Sequence, residues 1–115
     1  QFFCQQNAHE QRAFFDTLGW DELPAESASV VLRQAERVIG FTLVLRRGAP
    51  TNRHISCMCL LPDFQGCGLG QQLLWLIMAR VTAGGGQTIT LGTERTMRAY
   101  HLYRSNGFVD TEGCQ

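Results

Sequence analysis

The chain carries a glycine-rich turn, Gln65-Gly66-Cys67-Gly68-Leu69-Gly70, between a strand-like apolar run and a helix-like run. The upstream run covers residues 54–61 and is closed by Pro62, and the downstream run covers residues 70–83. Glycines let a backbone approach a ligand closely because they have no Cβ. The first N–H groups of the following helix lack internal partners and lie at the positive end of its dipole. A strand, a glycine turn and a helix in this order predict a phosphate-binding site.

The spacing of the turn excludes two common phosphate-binding motifs. A nucleoside-triphosphate loop needs Lys and then Ser or Thr after its last glycine, whereas Gly70 is followed by two glutamines. A dinucleotide fingerprint, G-x-G-x-x-G, begun at Gly66 needs its third glycine where Gln71 stands. The pattern that remains is Q-x-x-G-x-G, formed by Gln65, Gly68 and Gly70.

This pattern resembles the acyl-CoA-binding motif of the GCN5-related N-acetyltransferase (GNAT) superfamily, whose loop amides hold the CoA pyrophosphate. The resemblance implies acetyl-CoA as co-substrate, and an N-acetyltransferase in which a primary amine attacks the thioester directly in a ternary complex. It also implies that the strand before the turn polarises the thioester carbonyl through its main chain. The residues expected to bind the co-substrate are Met58, Cys59, Leu60, Gln65, Gly66, Cys67, Gly68, Leu69 and Gly70.

Residues 99–108 give a second match to the same family. The stretch Ala-Tyr-His-Leu-Tyr-Arg-Ser-Asn-Gly-Phe resembles the signature A-x-x-L-Y-x-x-x-G-F, whose tyrosine commonly protonates the departing CoA thiolate. The resemblance gives this role to Tyr103, since a phenol of pKa about 10 stays protonated at neutral pH and can donate to a thiolate of pKa about 8.5. A packed aromatic ring with a satisfied hydroxyl is the alternative. An asparagine often found three residues before the alanine is replaced by Thr96.

His54 is the candidate general base. Some members of the family carry a catalytic glutamate eight residues before the proline, and His54 stands at that position. An imidazole of pKa about 6.5 can accept the proton of the amine, directly or through water. A surface histidine at the start of a strand is the alternative; Glu94 and Asp21 are weaker candidates, and many relatives use water chains. Period-two alternation predicts that His54 shares a face of its strand with Ser56, Met58 and Leu60.

The amine acceptor is not identified by the sequence. Phe14, Phe15, Trp20, Asp21 and Glu22 would line an acceptor site with two carboxylates for an ammonium group. The alternative is the packing edge of a helix, which we favour for both phenylalanines. A non-catalytic module of the same fold, which binds acyl-CoA as a sensor or interaction domain, is the alternative function, and the presence of Tyr103 favours the enzyme.

Hydrophobic periodicity predicts the order α, β, β, β, α, β, α. Residues 54–92 form a strand–helix–strand unit whose two strands should be parallel, and the strands before it form an antiparallel hairpin. We expect an α/β fold, a mixed and mostly antiparallel sheet with a central βαβ unit and flanking helices, which matches the acyl-CoA N-acyltransferase fold. The predicted helices are 8–18, 70–83 and 97–105, and the predicted strands are 29–35, 38–45, 54–61 and 88–91.

Length and composition indicate one small domain. We expect a single GNAT-like domain over residues 1–115, shortened at both ends relative to the family, and an unpaired sheet edge that favours a homodimer. A formal net charge of zero favours no nucleic-acid partner, and no apolar run reaches the length of a membrane span. The expected partners are acetyl-CoA and a small-molecule or peptide amine.

The five cysteines have no framework spacing, which favours reduced thiols and a cytoplasmic location. Cys57 and Cys59 are two residues apart, so on a strand they should face the same way, and we expect them in a buried row. The histidines are scattered, so we expect no metal site. Cys67 is read as a residue of the glycine turn.

Overall fold

The computed structural model describes residues 8–22, 28–65, 68–93 and 98–111. Five strands form one sheet in the order β1-β2-β3-β4-β5. Strands β1 to β4 pair with one another in antiparallel fashion, and β5 is parallel to β4, as the sequence predicted for the strand–helix–strand unit. The elements are α1 (Ala8–Asp16), β1 (Gly19–Glu22), β2 (Val30–Gln34), β3 (Arg37–Arg46), β4 (Asn52–Leu60), α2 (Leu69–Ala83), β5 (Thr88–Leu91) and α3 (Arg98–Ser105), with a 3-10 turn at Pro62–Phe64 between β4 and α2.

Strand β1 was not predicted from the sequence. Its four residues show no apolar alternation, and they are extended because they pair with β2, with Trp20 opposite Leu32. Across this pair the guanidinium of Arg33 donates to the Asp21 carboxylate at 2.7 Å. The strand is therefore a product of tertiary pairing, which local sequence signals do not report.

The hydrophobic core lies between the sheet and helices α1 and α2. Alternate residues of β3 are buried, so one face of the sheet carries the core and the other carries exposed apolar residues such as Phe41 and Leu43. The buried hydroxyls within this core are satisfied, since Ser29 Oγ accepts from Val44 N at 2.7 Å. The core residues with no exposed surface are Val30, Leu32, Ile39, Val44, Leu73, Leu74 and Ile77.

A β-bulge in β4 inverts the side-chain alternation of that strand. Leu43 pairs with Cys57 while Val44 pairs with Ile55, so Ser56 is the extra residue. His54 lies opposite the exposed Leu45, whereas Met58 lies opposite the buried Thr42. The prediction that His54, Ser56, Met58 and Leu60 share one face is therefore wrong, because a strand with one extra residue exchanges its two faces.

Across the described ranges, no helix combines the length and the apolar character that a membrane crossing requires.

Candidate active site

The carboxyl half of β4 opens toward the side on which β5 lies. Within the described residues, β5 pairs only with residues 52–55 of β4. Leu61 N donates to Ile39 O at 2.9 Å, so by antiparallel alternation the peptide groups of Cys57 and Cys59 also face β3. The peptide groups of Met58 and Leu60 consequently face the β5 side. Their N–H groups are main-chain donors of the kind that can polarise a carbonyl oxygen.

The glycine turn is tied back to this open strand. Gln65 Nε2 donates to Leu60 O at 2.8 Å. The motif glutamine therefore links the turn to the segment of β4 that faces the opening. Gly66 and Cys67, which were predicted to bind the co-substrate, lie outside the described residues.

Helix α2 begins at this turn. Gly68 is its N-cap, with φ +91°, a left-handed conformation that glycine adopts without strain. Gln72 N donates to Gly68 O at 3.3 Å, so the N–H groups of Leu69, Gly70 and Gln71 precede the first intrahelical bond. The cap has no side-chain hydrogen bond and the first turn has no acidic residue. This end of the helix is suited to binding an anion.

Gly40 of β3 is a site residue that the sequence analysis did not identify. A Cβ at this position would lie 2.7 Å from Cys59 O and 2.6 Å from Leu60 Cδ2, so any side chain would displace the open part of β4. The signal was present in the sequence, because a glycine inside an apolar strand marks a close approach of a neighbouring backbone.

Tyr103 is held by the end of α3 and by the residues that follow it. Gly107 has φ +96°, and Gly107 N donates to Arg104 O while Phe108 N donates to Tyr103 O at 3.1 Å. This is the Schellman arrangement, which confirms the predicted Asn106-Gly107 helix end. The Phe108 ring lies 5.7 Å from the Tyr103 ring, and Tyr103 is only 8% exposed. Packing thus fixes the direction of the phenol.

Asn106, at the end of α3, is hydrogen-bonded to two side chains of α2. Its amide accepts from Trp75 Nε1 at 2.8 Å and donates to Gln71 Oε1 at 2.9 Å. Gln71 belongs to the first turn of α2, so the helix that carries Tyr103 is bonded to the turn that would bind the anion.

The surroundings of Tyr103 keep its hydroxyl protonated. Burial raises the pKa of Tyr103, and the nearby thiols of Cys59 and Cys57 raise that pKa further because a phenolate would be repelled by a thiolate. The phenol is therefore a proton donor at neutral pH. It also packs into the core cluster, so the structural role considered as its alternative accompanies the chemical one.

His54 belongs to a polar cluster that joins β4 to β5. Its Nδ1 lies 2.9 Å from Thr90 Oγ1, and Thr90 Oγ1 accepts from Asn52 Nδ2 at 3.2 Å. Thr88 Oγ1 donates to Asn52 Oδ1 at 2.8 Å, which sets the orientation of that amide. With Asn52 donating, the Thr90 hydroxyl is directed to donate to Nδ1, and the ring proton of His54 is assigned to Nε2.

Burial lowers the pKa of His54, and the positive charge of Arg47 lowers it further. The ring is neutral at pH 7, as a base requires. Met58 lies four positions after His54, roughly 13 Å along an extended strand, so the imidazole does not reach the Met58 peptide group directly.

Cys57 and Cys59 face the same way, as predicted, but they are not a buried row. Cys59 is exposed and Cys57 is half-buried, and their Sγ atoms lie 3.3 Å apart. The reason is again the bulge, because the extra residue at position 56 turns these side chains away from the core face that Met58 and Leu60 occupy.

Four of the five candidate acceptor residues near the start of the chain have partners in the structure, and the side chain of the fifth, Glu22, lies outside its described part. Phe15 is buried and Phe14 packs against the core, as favoured from the sequence. The guanidinium of Arg80 lies 5.1 Å from the centre of the Trp20 ring. The hydrogen bond from Arg33 lowers the pKa of Asp21, which makes Asp21 a poor proton acceptor. The second base candidate, Glu94, lies outside the described residues.

Solved structures share this arrangement of strands and helices. An aminoglycoside N-acetyltransferase, AAC(6')-Iy in complex with CoA, superposes with a TM-score of 0.67 at 19% identity, over 80% of this chain and 75% of that one. A GNAT-family acetyltransferase from Streptococcus pneumoniae gives a TM-score of 0.59 at 24% identity, over 73% of this chain and 62% of that one. Likeness at these identities shows the fold.

Sequence comparison matches a larger share of the chain than the structural superpositions do. An uncharacterized N-acetyltransferase, ycf52, of Porphyra purpurea is 25% identical over 124 aligned positions, which cover 95% of this chain and 69% of the relative. The model of the acetyltransferase (GNAT) family matches residues 1–108, which include the glycine turn, the open strand and Tyr103. The chain belongs to the GNAT acetyltransferase family.

Proposed function

We propose that the protein transfers an acetyl group from acetyl-CoA to a primary amine by direct attack in a ternary complex. The observation that carries this proposal is the opening of β4, where the Met58 and Leu60 peptide groups face away from β3, beside the N-terminus of α2. These two features supply the two contacts that an acyl-CoA requires, one for the thioester and one for the pyrophosphate.

The pyrophosphate binds at the first turn of α2. The N–H groups of Leu69, Gly70 and Gln71 point out of the helix, and Gly68 brings the backbone close without a side chain. The helix dipole adds a favourable interaction with negative charge at this end. Gln65, Gly66 and Cys67 complete the binding turn as the family motif implies.

The thioester carbonyl is polarised by the main chain of β4. As the amine attacks, negative charge develops on the carbonyl oxygen, and N–H donors fixed by the sheet stabilise it without reorganising. The N–H groups of Met58 and Leu60 are the candidates, with Cys59 between them. Removal of one such donor in acyl transfer costs about 2.7–4 kcal/mol, but main-chain donors survive side-chain substitution, so they are poor targets for mutation.

The two proton transfers are given to Tyr103 and His54. Tyr103 is protonated at neutral pH and donates to the CoA thiolate as the C–S bond breaks. His54 is neutral and accepts the amine proton through water, because the bulge and the length of strand between it and Met58 leave no direct contact. The Thr90 hydroxyl donates a hydrogen bond to Nδ1 of His54. This hydrogen bond must break before Nδ1 can accept the incoming proton.

The test is acetyl-CoA binding by calorimetry, followed on the same sample by thiol release against a panel of amines. The panel contains amino acids, polyamines, aminoglycosides and lysine peptides, since each presents a primary amine of different size and charge. Binding followed by thiol release with at least one amine supports the transferase. Binding without release from any amine supports the alternative, a non-catalytic acyl-CoA sensor. Failure to bind acetyl-CoA contradicts both.

A further inference from the structure

Two thiols lie at the opening and have no part in the proposed acetyl transfer. Cys57 Sγ and Cys59 Sγ are 3.3 Å apart on the segment of β4 beyond its pairing with β5. Both thiols are close enough to Tyr103 to affect its ionisation, which places them beside the proposed acid. Neither thiol is in the buried core.

The geometry of the pair favours a reversible disulfide over a metal site. The described residues bring together no group of three or more His, Cys, Asp or Glu side chains, so a third ligand is lacking there. Same-face neighbours on a strand have Cα atoms about 6.6 Å apart. That spacing lies near the upper limit of about 6.8 Å that disulfides accept, so the bond can form but is strained and easily reduced.

The two sulfurs are not equivalent. Cys59 is exposed and Cys57 is half-buried. The hydrogen bond to Cys59 is the main cause that raises the pKa of Cys57, and burial adds to it. The raised pKa favours the protonated form of Cys57, whereas Cys59 presents the sulfur that a disulfide entering the opening can reach. Cys59 is the attacking thiol of the pair, and Cys57 is the resolving thiol.

We propose that Cys57 and Cys59 form a thiol–disulfide exchange site whose substrate is CoA disulfide and whose product is an intrachain disulfide. The inference rests on the proposed binding of CoA at this cleft. A CoA moiety whose pyrophosphate lies at the α2 N-terminus brings its sulfur to the open part of β4, where the two thiols are located. CoA disulfide presents the same nucleotide and arm, with an S–S bond in place of the thioester.

The exchange balances without a further oxidant. The Cys59 thiolate attacks one sulfur of CoA disulfide, an S–S bond forms between Cys59 and one CoA, and the other CoA leaves as a thiolate. Cys57 then gives up its proton and attacks the Cys59 sulfur, which breaks the mixed disulfide and releases the second CoA thiolate. The two cysteines are oxidised, the CoA disulfide is reduced, and the two protons end on two CoA thiols.

The experiment follows the reaction of the fully reduced chain with CoA disulfide. The expected products are two CoA thiols per chain and a Cys57–Cys59 link, located by alkylation and tandem mass spectrometry. Since bound reactants react at a raised effective concentration, CoA disulfide should react at least about tenfold faster than glutathione disulfide at equal concentration. Equal rates for the two disulfides, or a chain without the Cys57–Cys59 link, would overturn the proposal.

Single substitutions test the order of the two steps. Cys57→Ser should release one CoA thiol and retain CoA on Cys59, whereas Cys59→Ser should lose the fast reaction. Cys114→Ser is the control, because it removes a thiol that has no place in the proposed binding turn or the exchange site, and it should react as the parent does. Loss of the reaction in Cys114→Ser, or an unchanged yield of two thiols in Cys57→Ser, contradicts the assignment.

Acetyl-CoA binding distinguishes a chain that lacks only the exchange site from a chain that lacks the proposed acetyl-CoA site. Acetyl-CoA binding to the reduced chain is measured first, by calorimetry. A chain that binds acetyl-CoA while its thiols stay unreacted overturns the exchange site alone. A chain that does not bind acetyl-CoA contradicts the proposed function, and the delivery of CoA disulfide with it.

Discussion

Tyr103 offers the most direct test of mechanism at the scale of one residue. Tyr103→Phe keeps the ring that packs against Phe108 and removes only the proton donor. We expect turnover to fall by at least about tenfold, in keeping with general-acid catalysis, while the Kd for acetyl-CoA changes little. Tyr100→Phe is the matched control, because Tyr100 lies on the same helix as Tyr103. The Tyr100 hydroxyl donates to the Asp110 carboxylate, beyond the end of that helix, at 3.1 Å. Equal turnover in Tyr103→Phe and the parent would remove Tyr103 from the mechanism.

The titration of His54 should make the free energy of unfolding depend on pH. This dependence can be measured without an amine acceptor. Its pKa in the folded chain is lowered, chiefly by burial, from an ordinary value of about 6.5. Between the two pKa values the unfolded chain binds more protons, so the free energy of unfolding falls as the pH falls below about 6.5. Above that pH the contribution is constant. His54→Gln should weaken this dependence, as measured by denaturant unfolding from pH 5 to 8. An identical pH profile in the variant would contradict the assignment.

Gly40 lies on β3, against the open part of β4. Gly40→Ala places a Cβ 2.7 Å from the Cys59 carbonyl oxygen, a backbone atom that cannot rotate away. Overpacking of this kind costs about 1–3 kcal/mol and should displace the open part of β4, so we expect lower stability together with weaker acetyl-CoA binding. Gly92→Ala is the control, since a Cβ there meets nothing within 4 Å. Unchanged affinity in Gly40→Ala would mean that β4 does not form the acyl-CoA site.

The elements that the sequence predicted correctly depend on local signals. The hairpin of β2 and β3, the βαβ unit and the Asn106-Gly107 end of α3 each follow from periodicity or from a glycine at the right position. The bulge at Ser56 and strand β1 depend on pairing with a neighbouring strand, which no local pattern reports. The same limit applies to the candidate site: the motifs nominate the turn and Tyr103, whereas the approach of Gly40 and the Thr90 partner of His54 come from strand register.

Ligand binding is a property of the whole molecule, because a ligand that binds only the folded chain raises its melting temperature. Acetyl-CoA at 100 times its Kd should stabilise the fold by about 2.7 kcal/mol, or roughly 10 °C for a chain of this size. Gly68→Asp places a carboxylate where the pyrophosphate binds, and we expect the ligand-induced shift to disappear. Gly85→Asp is the matched control, since Gly85 has φ +88° and lies beyond the other end of α2, so the cost in backbone strain and the added charge are alike. The shift should persist in Gly85→Asp; equal shifts in both variants would place the pyrophosphate away from the N-terminus of α2.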